Sequence, residues 1–166
     1  LVFTYRDGRS GSGNQIYNVY DANRRSWARL LDTPLIDGQG KRNAYIQGPV
    51  RGPGGAWHVA WIWRDTSDCA TNHDLSYARS PDLRHWRTAA GTPVELPMTF
   101  ETPGLIVDPV PAGGGAINTA VRLGFDHRGR PVVSYVKFDD AGKTQLYNAR
   151  LTGGEWTIVQ TSDWDW

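Results

Sequence analysis

Apolar and polar residues alternate with a period of two along most of this chain, and no helical stripe extends over several turns. Three stretches show the alternation best: LVFTYRDG from Leu1, AWHVAWIWRD from Ala56 and RPVVSYVKFDD from Arg130. Each ends on a cation and an acid, namely Arg6 with Asp7, Arg64 with Asp65, and Lys137 with Asp139. A polar turn follows in each, then a strand of matching pattern: IYNVYD from Ile16, LSYARS from Leu75 and LYNARL from Leu146. A second turn then leads to a tryptophan, Trp27, Trp86 or Trp156. This recurrence reads as one structural unit used three times, with loops of unequal length inserted.

The second and third units carry a further strand in front. NAYIQGPV from Asn43 precedes the turn Gly52 to Gly55, and NTAVRLGF from Asn118 precedes the turn Asp126 to Gly129. A complete unit is therefore a four-stranded antiparallel meander, the blade of a β-propeller, in which stacking buries faces that one sheet cannot bury alone. The expected fold is all-β, with about two and a half blades. Residues 1–34 form the end of one blade, 42–90 a second, 91–116 a long connection, and 117–161 a third. The Pro- and Gly-rich connection has room for one short strand around Leu105 to Val107. The three tryptophans are expected to pack between blades.

Composition agrees: the 166 residues include 19 Gly, 10 Pro and 8 Trp, which suits many tight turns. A net charge of +1 disfavours nucleic acid or an acidic membrane as the main partner. No apolar run is long enough to insert into a membrane. The single cysteine, Cys69, excludes an internal disulfide and a cysteine-based zinc cage. Four scattered histidines give no metal-ligand spacing, and no cofactor is expected. Asp68, Asp74, Asp139 and Asp140 leave a structural calcium ion open, although they match no known loop pattern. The chain starts at Leu1 within an alternating run and ends at SDWDW, so it reads as a piece of a longer protein.

Antiparallel order gathers the start of the first strand, the end of the second and the start of the third on one edge of each blade. In a propeller that edge surrounds one mouth of the central channel. The residues collected there are Arg6, then Arg42, Asn43, Tyr45, Arg64 and His73, then Asn118 and Lys137. Cations mixed with amides and aromatics suit an anionic, hydroxyl-rich ligand, because arginine grips a carboxylate through two parallel hydrogen bonds. The competing reading pairs each cation with the following aspartate as a rim salt bridge. His73 is the best acid–base candidate, since histidine titrates near neutrality; otherwise it bonds backbone in a strand-entry turn. His58 reads as a packed strand residue, and His85 and His127 as surface residues.

FTYRDGRSGSGNQIYNVYD, KRNAYIQGPV, WHVAWIWRDTSDCATNHDLSYARSPDLRHW and VVSYVKFDDAGKTQLYNARL together resemble the BNR-repeat family. Its members include propeller polysaccharide lyases such as ulvan lyases and rhamnose–glucuronate lyases. SPDLRHW resembles a degenerate Asp-box that keeps Ser80, Asp82 and Trp86. The resemblance implies a seven-bladed ring, an acidic polysaccharide or oligosaccharide as partner, cleavage by β-elimination, and a secreted or periplasmic location. It implies that Arg6, in Phe3-Thr4-Tyr5-Arg6, neutralises a uronate carboxylate. It also implies that Arg42 to Tyr45 contribute to substrate binding, while the family's histidine pair has no match here. Val136 stands where such relatives have a histidine before Lys137. Two other classes fit the same residues: a glycoside hydrolase of sialidase or five-bladed type, and a non-catalytic propeller that binds acidic glycans.

Overall fold

The computed structural model describes residues 1–166 and contains strands, turns and two short 3-10 turns, with no α-helix. Three sheets follow one another along the chain. The first comprises β1 (Val2–Arg9), β2 (Ser12–Asp21) and β3 (Ser26–Arg29). The second comprises β4 (Asn43–Arg51), β5 (Trp57–Arg64), β6 (Asn72–Ser80), β7 (Trp86–Arg87) and β8 (Pro93–Val94), with β9 (Ile106–Asp108) also paired to β6. The third comprises β10 (Arg122–Phe125), β11 (Pro131–Phe138), β12 (Thr144–Thr152) and β13 (Glu155–Gln160). Every neighbouring pair of strands is antiparallel. The chain is thus all-β, three successive meanders forming part of a β-propeller.

The repeat in the sequence is also a repeat in register. Arg6 pairs with Gln15, Arg64 with Asn72, and Lys137 with Gln145, each towards the turn of its blade's central hairpin. Strand β5 shows why the blades stack. Val59, Trp61 and Trp63 project to one face, into a cluster with Tyr17, Leu35 and Ile36 from the first blade and its exit. Ala60 and Ile62 project to the other, into a cluster with Val133 and Tyr135 of the third blade. A strand apolar on both faces must be covered twice, and a central blade provides for that.

The outer strand of the second blade is made from two separate stretches. Arg87 of β7 pairs with Arg79, whereas Ile106 and Asp108 of β9 pair with Ser76 and Leu75 on the same edge of β6. Between them the chain turns back as β8 beside β7 and then leaves the sheet, and Tyr77 is bridged by donating its backbone N–H to Leu105 O at 2.9 Å. The short strand expected near Leu105 to Val107 is β9, and it completes the second blade. The excursion also ties down the link between the first two blades: Met98 N donates to Leu35 O, and Asp37 N to Met98 O.

One expectation needs correction. NTAVRLGF does not form a strand throughout: Asn118–Ala120 is a 3-10 turn, and the strand begins at Arg122. Arg122 holds that turn by donating to the carbonyls of Thr119 and Val121. Asn118 is therefore not in the position of Asn43. Of the three tryptophans, Trp86 is buried between the first and second blades, and Trp156 packs on Tyr77 between the second and third. Trp27, 49 % exposed, lies with Phe3 and Tyr20 on the face of the first blade turned away from the second, where this chain has no further blade.

Candidate functional site

Tyr45 stands at the centre of the mouth-edge residues. It leaves β4 opposite Ile62, and its hydroxyl meets the first blade. Ser10 Oγ lies 2.8 Å from that hydroxyl, and Arg6 Nη1 donates to it at 3.3 Å. The guanidinium carbons of Arg6 and Arg64 lie 5.7 and 5.2 Å from the ring centre. Burial acts to raise the phenol, but the Ser10 hydrogen bond, the Arg64 charge and the bonds from Arg6 and Asn43 outweigh it. The phenol sits below its ordinary 10.0. The contact across the blades depends on Gly11. Its φ is +73°, its N–H donates to Asn43 Oδ1, and a side chain there would collide with the Thr66 backbone.

The three equivalent cations have different surroundings. Arg64 is 8 % exposed, and its guanidinium is spent on the loop that follows it. Nε donates to the carbonyls of Thr66 and Asp68 at 3.1 and 3.2 Å, and Nη2 donates to that of Ser67. Lys137 Nζ lies 2.7 Å from Asp108 Oδ2, which also accepts from the Tyr135 hydroxyl. Burial, reinforced by that bond and the Asp108 charge, raises the Tyr135 phenol. Arg6 is exposed and bonded only to Tyr45. None of the three pairs with the aspartate that follows it in sequence, so the rim salt bridges are absent. Arg64 takes carbonyls of the loop that follows it, whereas the half-buried Lys137 takes a carboxylate carried by β9.

His73 is 6 % exposed and held at both ring nitrogens. Nδ1 lies 2.6 Å from Asp74 Oδ2, and Nε2 lies 3.1 Å from Asp65 Oδ1. A β-bulge makes this possible. Pairing shifts by one residue between Ile62 and Trp63, and the extra residue, Asp74, adopts φ +43°. Asp65 Oδ1 also lies 3.3 Å from Arg42 Nε, an ion pair without hydrogen-bond geometry. Arg42 stacks 4.4 Å from the Phe100 ring centre, with Nη1 3.7 Å from Glu101. The Phe100 ring is also set against the His73 imidazole.

The geometry thus forms two groups. Arg6, Ser10, Asn43, Tyr45 and Arg64 are one; Arg42, Asp65, His73, Asp74, Phe100 and Glu101 are the other. Lys137 lies apart with Asp108. Asn118 Oδ1 accepts from Asn72 Nδ2 at 3.2 Å, fastening the second blade to the third. Ser10, Phe100, Glu101 and Asp108 were not singled out from sequence. Ser10 lies within a Gly/Ser turn, and the others lie in an aperiodic connection, so no pattern marks them. No group of three or more His, Cys, Asp or Glu converges as a metal ion would need.

Comparison with known proteins gives one family and one fold. The pattern described as BNR repeat-containing family member matches residues 1–164. Two solved structures are similar, both of an ulvan lyase described as a new family of polysaccharide lyase. One is 16 % identical with a TM-score of 0.67, covering 95 % of this chain and 40 % of that one. The other, bound to -[GlcA(1-4)Rha3S]-, is 16 % identical with a TM-score of 0.64 and the same coverage. The chain therefore spans 40 % of the length of these solved structures. A search among curated proteins gave no match. This chain belongs to the BNR repeat-containing family.

Proposed function

We propose that this member of the BNR repeat-containing family belongs to a secreted polysaccharide lyase that cleaves uronate-containing glycans by β-elimination. The carrying observation is the state of Arg6. It alone of the three equivalent cations is exposed, bonded to no carboxylate or backbone carbonyl, and directed at a phenol of depressed pKa.

In β-elimination, a base removes the proton on C5 of the uronate, the bond from C4 to the glycosidic oxygen breaks, and that oxygen takes up a proton. The C5 proton is weakly acidic until the neighbouring carboxylate is neutralised. Arg6 is suited to that by charge and by its planar donors. Tyr45, 3.3 Å from the same guanidinium, is placed to exchange the proton. His73 was the expected acid–base group, but both its ring nitrogens face carboxylates. In this proposal it positions Asp65 and, through it, Arg42. The likeness to a lyase solved with a uronate-containing oligosaccharide supports the reading.

A hydrolase would need two carboxylates free to flank the scissile bond. Of Asp7, Asp65 and Asp139, Asp65 faces His73 and Arg42 and Asp139 accepts from its own turn, which leaves Asp7 as a single free carboxylate and favours elimination. The test uses the full-length protein and a glucuronate polysaccharide. Arg6→Ala is expected to lower formation of the ultraviolet-absorbing unsaturated product by on the order of 10²–10³. Retention of most activity by a folded Arg6→Ala protein, or a wild-type product carrying added water by mass spectrometry, would overturn the reading.

A further inference from the structure

On the rim between the second and third blades lies a cleft of about 340 Å³ that the Arg6–Tyr45 group does not use. Its walls include Cys69, Ala70, Ala116, Ile117, Phe138 and Thr144. No ionisable acid or base other than the thiol lines it. Ile117 and Phe138 are exposed there, although large apolar side chains on a rim lose free energy in contact with water.

The cleft is pre-formed. Gly113 N donates to Ala70 O, and Phe138 N to Gly114 O, both at 2.8 Å. Asn72 Nδ2 donates to Ala116 O at 3.0 Å. At Gly115, φ is +81°, and a side chain would collide with the Phe138 ring, so glycine keeps that wall open. The cleft lies on the same edge of the blades as the mouth, beside the β5–β6 loop and the β11–β12 turn. Gly11 abuts Thr66, Arg64 binds Thr66 O, and the same loop reaches Cys69 three residues later. Three residues extend at most about 11 Å, so Cys69 lies within that distance of Thr66, the residue that Arg64 holds at the mouth.

We propose that this cleft is a second sugar subsite, which takes a neutral residue of the glycan whose uronate carboxylate sits at Arg6. The proposal rests on the uronate reading and adds the neighbouring unit. An uncharged lining disfavours a second uronate or a sulfated sugar, since their charge would be desolvated without a partner. The Phe138 ring offers an apolar face to the C–H face of a pyranose, and Thr144 offers a hydroxyl. A volume near 340 Å³ lies at the lower end of the range for small-molecule sites.

Cys69, the only cysteine among these 166 residues, carries the test, with its labelling read by peptide mass spectrometry. In the full-length protein its rate of reaction with a thiol reagent is measured alone, with free glucuronate, and with an oligosaccharide joining glucuronate to a neutral hexose. Calorimetry in parallel shows which ligands bind. The oligosaccharide is expected to slow the reaction at least fivefold and free glucuronate to leave it unchanged. Phe138→Ala should weaken oligosaccharide binding about tenfold. If the oligosaccharide binds while Cys69 reacts at its free rate, the subsite is overturned and the uronate reading stands. If neither ligand binds, the uronate reading falls and the subsite with it. Protection by an apolar peptide but not by the oligosaccharide would also overturn the subsite.

Discussion

His58 is 6 % exposed, with Nδ1 2.6 Å from the Tyr77 hydroxyl and Phe125 edge-on to its ring. Burial, helped by the Arg79 charge, pushes its pKa down to about 4 from 6.5. The unfolded chain therefore takes up this proton before the folded one as pH falls. The associated stability is complete above 6.5 and is lost progressively on the way down to about 4. At 1.36 kcal/mol per unit the full loss is about 3 kcal/mol. Denaturant unfolding at pH 7 and pH 4.5 should show the wild-type protein losing stability across this window and His58→Gln losing distinctly less. Equal losses would assign the effect to other groups. On the same sheet, Tyr45 is moved in the opposite sense from its burial, because four polar or charged neighbours converge on its oxygen.

At the scale of elements, the loop from Asp65 to Thr71 is organised from within by the last residue of the strand before it. Arg64 holds three successive carbonyls, and Thr71 and Asp68 cap the turn from the other side. Hydrogen bonds from a charged donor contribute about 1.5–3 kcal/mol each, partly offset by the cost of burying the charge. Arg64→Met should cost about 2–3 kcal/mol in unfolding experiments and speed amide exchange at Thr66, Ala70 and Thr71. Unchanged exchange at those amides would show that the loop holds without it. The hairpins carrying Arg6, Arg64 and Lys137 were legible in the sequence because period-two alternation fixes both face and register. The partners of those cations were not. The carbonyls beside Arg64 belong to a polar turn without pattern, and Asp108, beside Lys137, arrives from a Pro- and Gly-rich stretch. The outer strand of the second blade was hidden for a related reason. Two residues of β7 and three of β9 are too few for alternation to register, and 18 residues stand between them in sequence. The full strand expected at Asn118 failed because Arg122 holds Asn118–Ala120 in a turn whose start the Asn72 amide fastens to the second blade.

On the scale of the whole molecule, three blades are joined by two apolar clusters, with polar stitches at the mouth from Asn43 to Gly11 and from Asn72 to Ala116 and Asn118. The divided outer strand of the second blade gives this assembly a property of its own. Where β7 stops and β9 begins, the sheet does not depend on an unbroken polypeptide, because each stretch is held to β6 by its own hydrogen bonds. The backbone can therefore be severed there without opening the blade. A specific protease site inserted at the Ala90–Gly91 turn should, after cutting, leave two fragments that co-elute at the mass of the intact protein with unchanged tryptophan fluorescence. Separation of the fragments under native conditions would show that the continuous chain is needed. New chain ends could be placed at this turn, which makes the second blade a place to join or exchange segments while the mouth keeps its geometry.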